Sequence, residues 1–93
     1  MKGKGKGNNI YEYRKFKRTS GETAVIVYDL KLTCDKEMVN KLTSRVITNI
    51  LPYEPVLWRS NDDGTASTDM YNVGEYSFKK FQKEWDYYVL GVI

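Results

Sequence analysis

Ninety-three residues, 41% apolar and 29% charged, are enough for one folded domain and leave no room for a second core. With no histidine and one cysteine, a histidine-based triad, a zincin and an intramolecular disulfide framework are excluded, and a reducing, intracellular (cytoplasmic) setting is expected. Of the 15 basic and 12 acidic residues, seven basic and one acidic fall within the first 18, leaving eight against eleven for the rest. The net +3 therefore hides a basic arm on a mildly acidic body, and such an arm points to a polyanionic partner.

The chain opens M-K-G-K-G-K-G-N-N. Alternating Lys and Gly has no hydrophobic period, so residues 1–9 are expected to be disordered, ahead of a single domain over 10–93. No apolar stretch follows these lysines, and no apolar run elsewhere is long enough to span a bilayer, so neither a signal peptide nor a membrane partner is expected.

Ile10–Lys17 reads as a strand, with Thr19-Ser20-Gly21-Glu22 as a turn. Thr23–Leu32 is the clearest strand: Ala24, Ile26, Tyr28, Leu30 and Leu32 share a face, and Val25 and Val27 make part of the other face apolar too. Thr33 or Asp35 is placed to cap a helix running to about Leu51, with Val39, Leu42, Val46 and Ile50 on one stripe and Pro52 as its stop. Val56–Ser60, the turn Asn61-Asp62-Asp63-Gly64 and Thr65–Val73 follow as a hairpin. After Gly74, the residues Phe78, Phe81, Trp85 and Val89 repeat at helical spacing, and an apolar strand is expected near Tyr88–Ile93.

From Thr23 onward the order is strand, helix, strand, strand, helix, strand. That is the α+β, ferredoxin-like split βαβ (βαββαβ) sandwich, here preceded by an extra basic N-terminal strand. An edge strand as apolar as Tyr88–Ile93 would allow a homodimer.

The candidate binding residues sit in the basic arm. Lys2, Lys4 and Lys6 can follow a phosphate chain. Arg14, Lys15, Lys17 and Arg18 are interleaved with Tyr11, Tyr13 and Phe16, which pairs phosphate contacts with stacking surfaces. A second, weaker partner patch combines Tyr28, Trp58, Arg59 and Tyr71, since Trp, Tyr and Arg dominate interface hot spots.

Val27-Tyr28-Asp29-Leu30, an apolar strand with an aromatic-Asp pair, resembles the first strand of the small CRISPR-associated integrase subunit and of the VapD-type toxins. That resemblance covers about six residues. In the first of these families it implies a divalent metal held by Asp29 across a dimer; the features both families carry in later strands are missing. The RNA-recognition motif shares the expected element order, and would have Tyr28 and Tyr71 stack bases from an open sheet face, but Ser67–Val73 lacks its basic, Gly and paired aromatic positions. Asn61–Gly64 fails as a calcium loop, because Arg59 and Met70 fall on ligand positions. Cys34, read as lying near a helix N-terminus, is expected to have a lowered pKa.

The reading is a small non-enzymatic binding protein without cofactor or metal, its partner being nucleic acid (DNA or RNA) or an acidic protein surface. The alternatives are a viral or phage-type accessory protein that inhibits a host protein, and a metal-dependent, nuclease-like dimer using Asp29.

Overall fold

A computed structural model describes residues 1–51 and 55–91, with the backbone alone at 49. It is α+β, with an antiparallel sheet of five strands: β1 (Ile10–Ser20), β2 (Thr23–Asp35), β3 (Trp58–Ser60), β4 (Thr65–Thr68) and β5 (Tyr71–Gly74). Helices α1 (Val39–Arg45) and α2 (Glu75–Trp85) lie among the described residues, flanked by short 3₁₀ and π turns. No described helix is long and apolar enough to cross a membrane.

β2 organises the sheet. β1 pairs along one edge from Ile10↔Thr33 to Ser20↔Thr23. The other edge is shared, with β5 opposite Val27–Leu30 and β4 opposite Thr33–Asp35. Between these the register slips: Thr33 faces Ser67, yet Leu30 faces Tyr71 where an unbroken ladder would bring Met70. The extra residue makes Asp69–Met70 a β-bulge. Beside it, the Leu32 N–H donates to the Thr68 hydroxyl at 3.0 Å, a buried bond. Left unpaired, that donor would cost about 1–3 kcal/mol.

Cross-strand partners share a face, so Tyr11, Tyr13, Tyr28, Leu30, Leu32, Cys34, Ala66 and Val73 look to one side of the sheet. There they meet the α2 stripe Phe78, Phe81 and Trp85 together with Leu42, Val46, Ile47 and Ile50. Aromatic packing dominates the junction. Tyr28 stacks on Phe78 at 3.9 Å, and Tyr11 meets Phe81 edge-on at 4.9 Å and Trp85 at 5.0 Å. Such pairs add roughly 0.5–1.5 kcal/mol each beyond burial.

Three expectations are corrected. The helix expected from Thr33 or Asp35 does have Asp35 in its N-cap position, but it opens as a 3₁₀ turn, Lys36–Met38, that leads into α1, and the Asp35 side chain makes no capping bond. Thr33 and Asp35 also pair with Ser67 and Thr65 at the end of β2. The helix also ends early, at Arg45, and a 3₁₀ turn follows at Ile47–Asn49. Val46, Ile47 and Thr48 are β-branched, and the Ser44 and Thr48 hydroxyls bond back to the carbonyls of Asn40 (2.8 Å) and Thr43 (2.6 Å), which disfavours further helix. Pro52, expected as its stop, lies outside the described residues.

Secondly, Tyr88–Leu90 is not strand. Asp86–Leu90 extends α2 as a π turn closed by Gly91 at φ 72°, keeping Val89 on the buried stripe one turn after Trp85. The edge where a fourth core strand would lie is occupied by β1, so the strand order does not show a ferredoxin-like arrangement. Val92 and Ile93 fall outside the described residues. Thirdly, Cys34 does lie just before Asp35 and the 3₁₀ turn Lys36–Met38, but it sits within β2 and is fully buried, and its pKa is not lowered. Burial, followed by the neighbouring Asp35 carboxylate, pushes its thiol up to about 11.

Two outcomes follow from this packing. Trp85→Ala should cost about 3–5 kcal/mol in urea denaturation, and a loss under 1 kcal/mol would contradict the core described. Because the Cys34 pKa is raised, from an ordinary 9.0 to about 11, its contribution to stability is intact below pH 9 and is lost as pH rises through 11. A disulfide reagent at pH 8 should label native protein far more slowly than urea-unfolded protein; equal rates would show the thiol accessible.

Candidate functional site

The β1–β2 hairpin outruns the sheet that supports it. β5 stops at Gly74, opposite Val27, so among the described residues Thr23–Ile26 have no strand neighbour on that edge. Among the described residues the outer edge of β1 is paired only as far as Tyr13, whose N–H donates to the Met1 carbonyl at 2.8 Å. Beyond these points Lys17–Ser20 and Thr23–Ile26 form a two-stranded ribbon, and Lys17 to Val25 are all exposed. It closes on the two-residue loop Gly21-Glu22, with Gly21 at φ 63° and no positive φ at Glu22. This is the II′ geometry that matches strand twist and requires glycine first.

Alternation distributes the ribbon's charges. Lys15 and Lys17, opposite Tyr28 and Ile26, project on the α2 side. Arg14 and Arg18, opposite Asp29 and Val25, project on the open side, with Phe16 between them. All four cations are exposed, and among the described residues no ion pair or hydrogen bond engages their side chains. Lys17 and Arg18 therefore stand on the free ribbon, and Arg14 and Lys15 at its base, where β2 is still backed by β5.

The aromatic partners expected to stack beside them do not join them. Tyr11 is 4% exposed, boxed by Phe81 and Trp85, and its hydroxyl accepts from Gln82 Nε2 at 3.3 Å. Its pKa is raised, chiefly by burial. Tyr13 is half-buried at 5.0 Å from Phe78. Phe16 alone of the three lies on the open face of the ribbon.

Residues 1–9, expected to be disordered, are laid along the outer edge of β1. Lys2 bridges to Glu12, the Gly3 N–H donates to the Tyr11 carbonyl at 2.9 Å, and Gly7-Asn8 turn the chain back into β1. The Trp85 indole N–H donates to the Lys4 carbonyl at 2.8 Å, and the Asp35 N–H to the Asn9 side chain at 3.1 Å. Sequence reasoning read the glycines as entropy. Here Gly3 lies flat on the Tyr11 ring, where a Cβ would overlap it, and a Cβ at Gly5 would strike the Asn9 carbonyl. Lys2, Lys4 and Lys6 remain exposed.

Tyr28, Trp58, Arg59 and Tyr71 are not brought into one patch. Tyr28 is buried under Phe78, which overturns its expected role as an open-face base platform, and Tyr71 shares that covered face opposite Leu30. Its hydroxyl accepts from the Leu57 N–H at 3.2 Å. The Trp58 indole donates to Thr43 at 2.9 Å and packs on the core. Arg59 is the exposed member, its Nε 3.0 Å from Asp69 Oδ1. Asp29 accepts from Asn72 at 3.2 Å, and among the described residues no three His, Cys, Asp or Glu side chains gather to hold a metal.

One surface was missed. Tyr76, 83% exposed, lines a hollow of about 510 Å³ with Ala24–Val27 and Gly74–Ser77, and also a second hollow with Lys79, Lys80 and Lys83. These residues fall off the buried α2 stripe, and that is the signal that could have found them.

Gly3→Ala should displace the Tyr11 ring or undock the segment. Faster amide exchange at Gly3 and Tyr13 and a lower Tm are expected; unchanged protection would show that the segment is not packed there. Comparison with known proteins supplies no relative: no family model, no curated protein and no solved structure matches this chain.

Proposed function

We propose that this chain binds nucleic acid through the basic ribbon Arg14–Ile26. The observation that carries the reading is the set of four unengaged cations, Arg14, Lys15, Lys17 and Arg18, on an exposed arm whose base is anchored in the core. Free surface cations gain by displacing counterions condensed on a polyanion, and a rigid base fixes their directions. Lys2, Lys4 and Lys6 lie along the same edge and add to the field. With Tyr11 and Tyr13 committed to the core, charge supplies the affinity and stacking contributes little.

A second reading has its own observation. The unpaired β2 edge at Thr23–Ile26, beside the hollow where Val25 is 47% and Tyr76 83% exposed, could accept a strand from a protein partner. An accessory protein that inhibits a host factor would use it. Strand addition tolerates salt, whereas phosphate binding does not, so the two readings separate in one titration.

If about four phosphates are neutralised, log K against log salt should have a slope of roughly −3 to −4 in fluorescence anisotropy with a labelled oligonucleotide. Replacing Arg14, Lys15, Lys17 and Arg18 by Gln should flatten that slope to near that of the three lysines alone. Binding that is weakly salt-dependent, or whose affinity and salt slope are unchanged by the fourfold change, would refute the ribbon as the contact.

A further inference from the structure

Resting on the reading just given, we infer that the ligand is double-stranded DNA and that the ribbon enters its major groove tip first. Three features of the ribbon converge on this.

The first is the split of charge between faces. A ribbon laid flat on a polyanion would use one face and turn the other to solvent. Here Lys15 and Lys17 occupy one face, Arg14 and Arg18 the other. Cations on both faces find phosphates when the ribbon stands between two phosphate walls, as in a groove.

The second is distance. A strand rises about 3.3 Å per residue, and the four residue pairs from Lys17↔Ile26 to Ser20↔Thr23 span roughly 10 Å before the loop is added. The major groove is about 8.5 Å deep and about 12 Å wide, and it admits a two-stranded ribbon. With the loop at the groove floor, Arg18 stands roughly 7 Å and Lys17 roughly 10 Å behind Ser20, level with the phosphates. Lys15 and Arg14, roughly 17 and 20 Å behind Ser20, stand above the groove mouth, where they add to the field that draws the duplex in. The tip itself, Thr19-Ser20-Gly21-Glu22-Thr23, has no cation. It presents hydroxyls, which bond to any base edge, and one carboxylate, which accepts from cytosine N4.

The third is what the alternatives need. A single strand is held by successive exposed aromatic platforms, and Tyr11 and Tyr28 are spent in the core while Tyr13 is half-buried against Phe78, which leaves the ribbon one platform, the partly exposed Phe16. Duplex RNA closes its major groove to protein side chains, and the DNA minor groove, about 6 Å wide, is too narrow for two strands about 4.8 Å apart with their side chains.

The test titrates the full chain with a 20-base-pair DNA duplex, the RNA duplex of the same sequence, and one DNA strand alone. The DNA duplex is expected to bind at least tenfold more tightly than either. Lys15→Gln/Lys17→Gln and Arg14→Gln/Arg18→Gln should each weaken it by a similar factor, with circular dichroism unchanged because all four positions are exposed. Methylating guanine N7, on the major-groove floor, should interfere with binding. Equal affinity for all three ligands, or loss confined to one face's pair, overturns the inference and leaves the proposed function standing. No binding to any of the three at low salt overturns both.

Discussion

β2 is longer than the strands that cover it. Eleven of its thirteen residues, Thr23–Thr33, are paired with β1, but among the described residues its second edge is covered only by β5 and β4, which between them reach no further than Val27. A sheet that ended evenly would have left no ribbon. The bulge at Asp69–Met70 belongs to the same constraint. It bends one polypeptide run into two short strands, and the chain then leaves the sheet at Gly74 to begin α2. The exposed hairpin is thus set by where α2 has to start, and α2 starts where Phe78 can stack on Tyr28.

The aromatic cluster does for the outer edge what β5 does for the inner one. Trp85, Phe81 and Phe78 draw Tyr11 and Tyr13 into the core, so the first half of β1 is immobilised while its second half is free. The Lys-Gly repeat completes this edge. Gly3 permits the backbone to lie against the Tyr11 ring, and the indole of Trp85 ties down the Lys4 carbonyl. One strand therefore has two jobs, divided at about Arg14: packing before it, exposed charge after it. Lys and Arg on the free portion also discourage edge-to-edge aggregation of an otherwise β-prone hairpin.

Period and turn chemistry made much of this legible. Ile10–Lys17, Thr23–Leu32, the Asn61–Gly64 turn and the stripe Phe78-Phe81-Trp85 each carry a local signature, and each forms the expected element. The failures lie where a local signal had a tertiary competitor. Asp35 stands at the expected N-cap position, but its carboxylate accepts from the Asn8 side chain and makes no capping bond. Tyr88–Leu90 is apolar enough for a strand, but Val89 is needed on the α2 stripe. For the site, sequence located the charges but not the division between aromatics used for packing and cations left free. Tyr11 and Phe16 look alike in an alternating strand; which one meets α2 depends on a helix beginning some sixty residues later.

The central claim is that the ribbon is the principal contact with the polyanion. Amide chemical-shift mapping on ¹⁵N-labelled protein, titrated with a short DNA duplex, tests it most directly. The account predicts shifts concentrated from Arg14 to Ile26, largest around the Gly21 loop, with the amides of Leu30, Leu32 and Phe81 unmoved. Shifts centred instead on Tyr76–Lys83 or on Trp58–Arg59, with the hairpin silent, would contradict it.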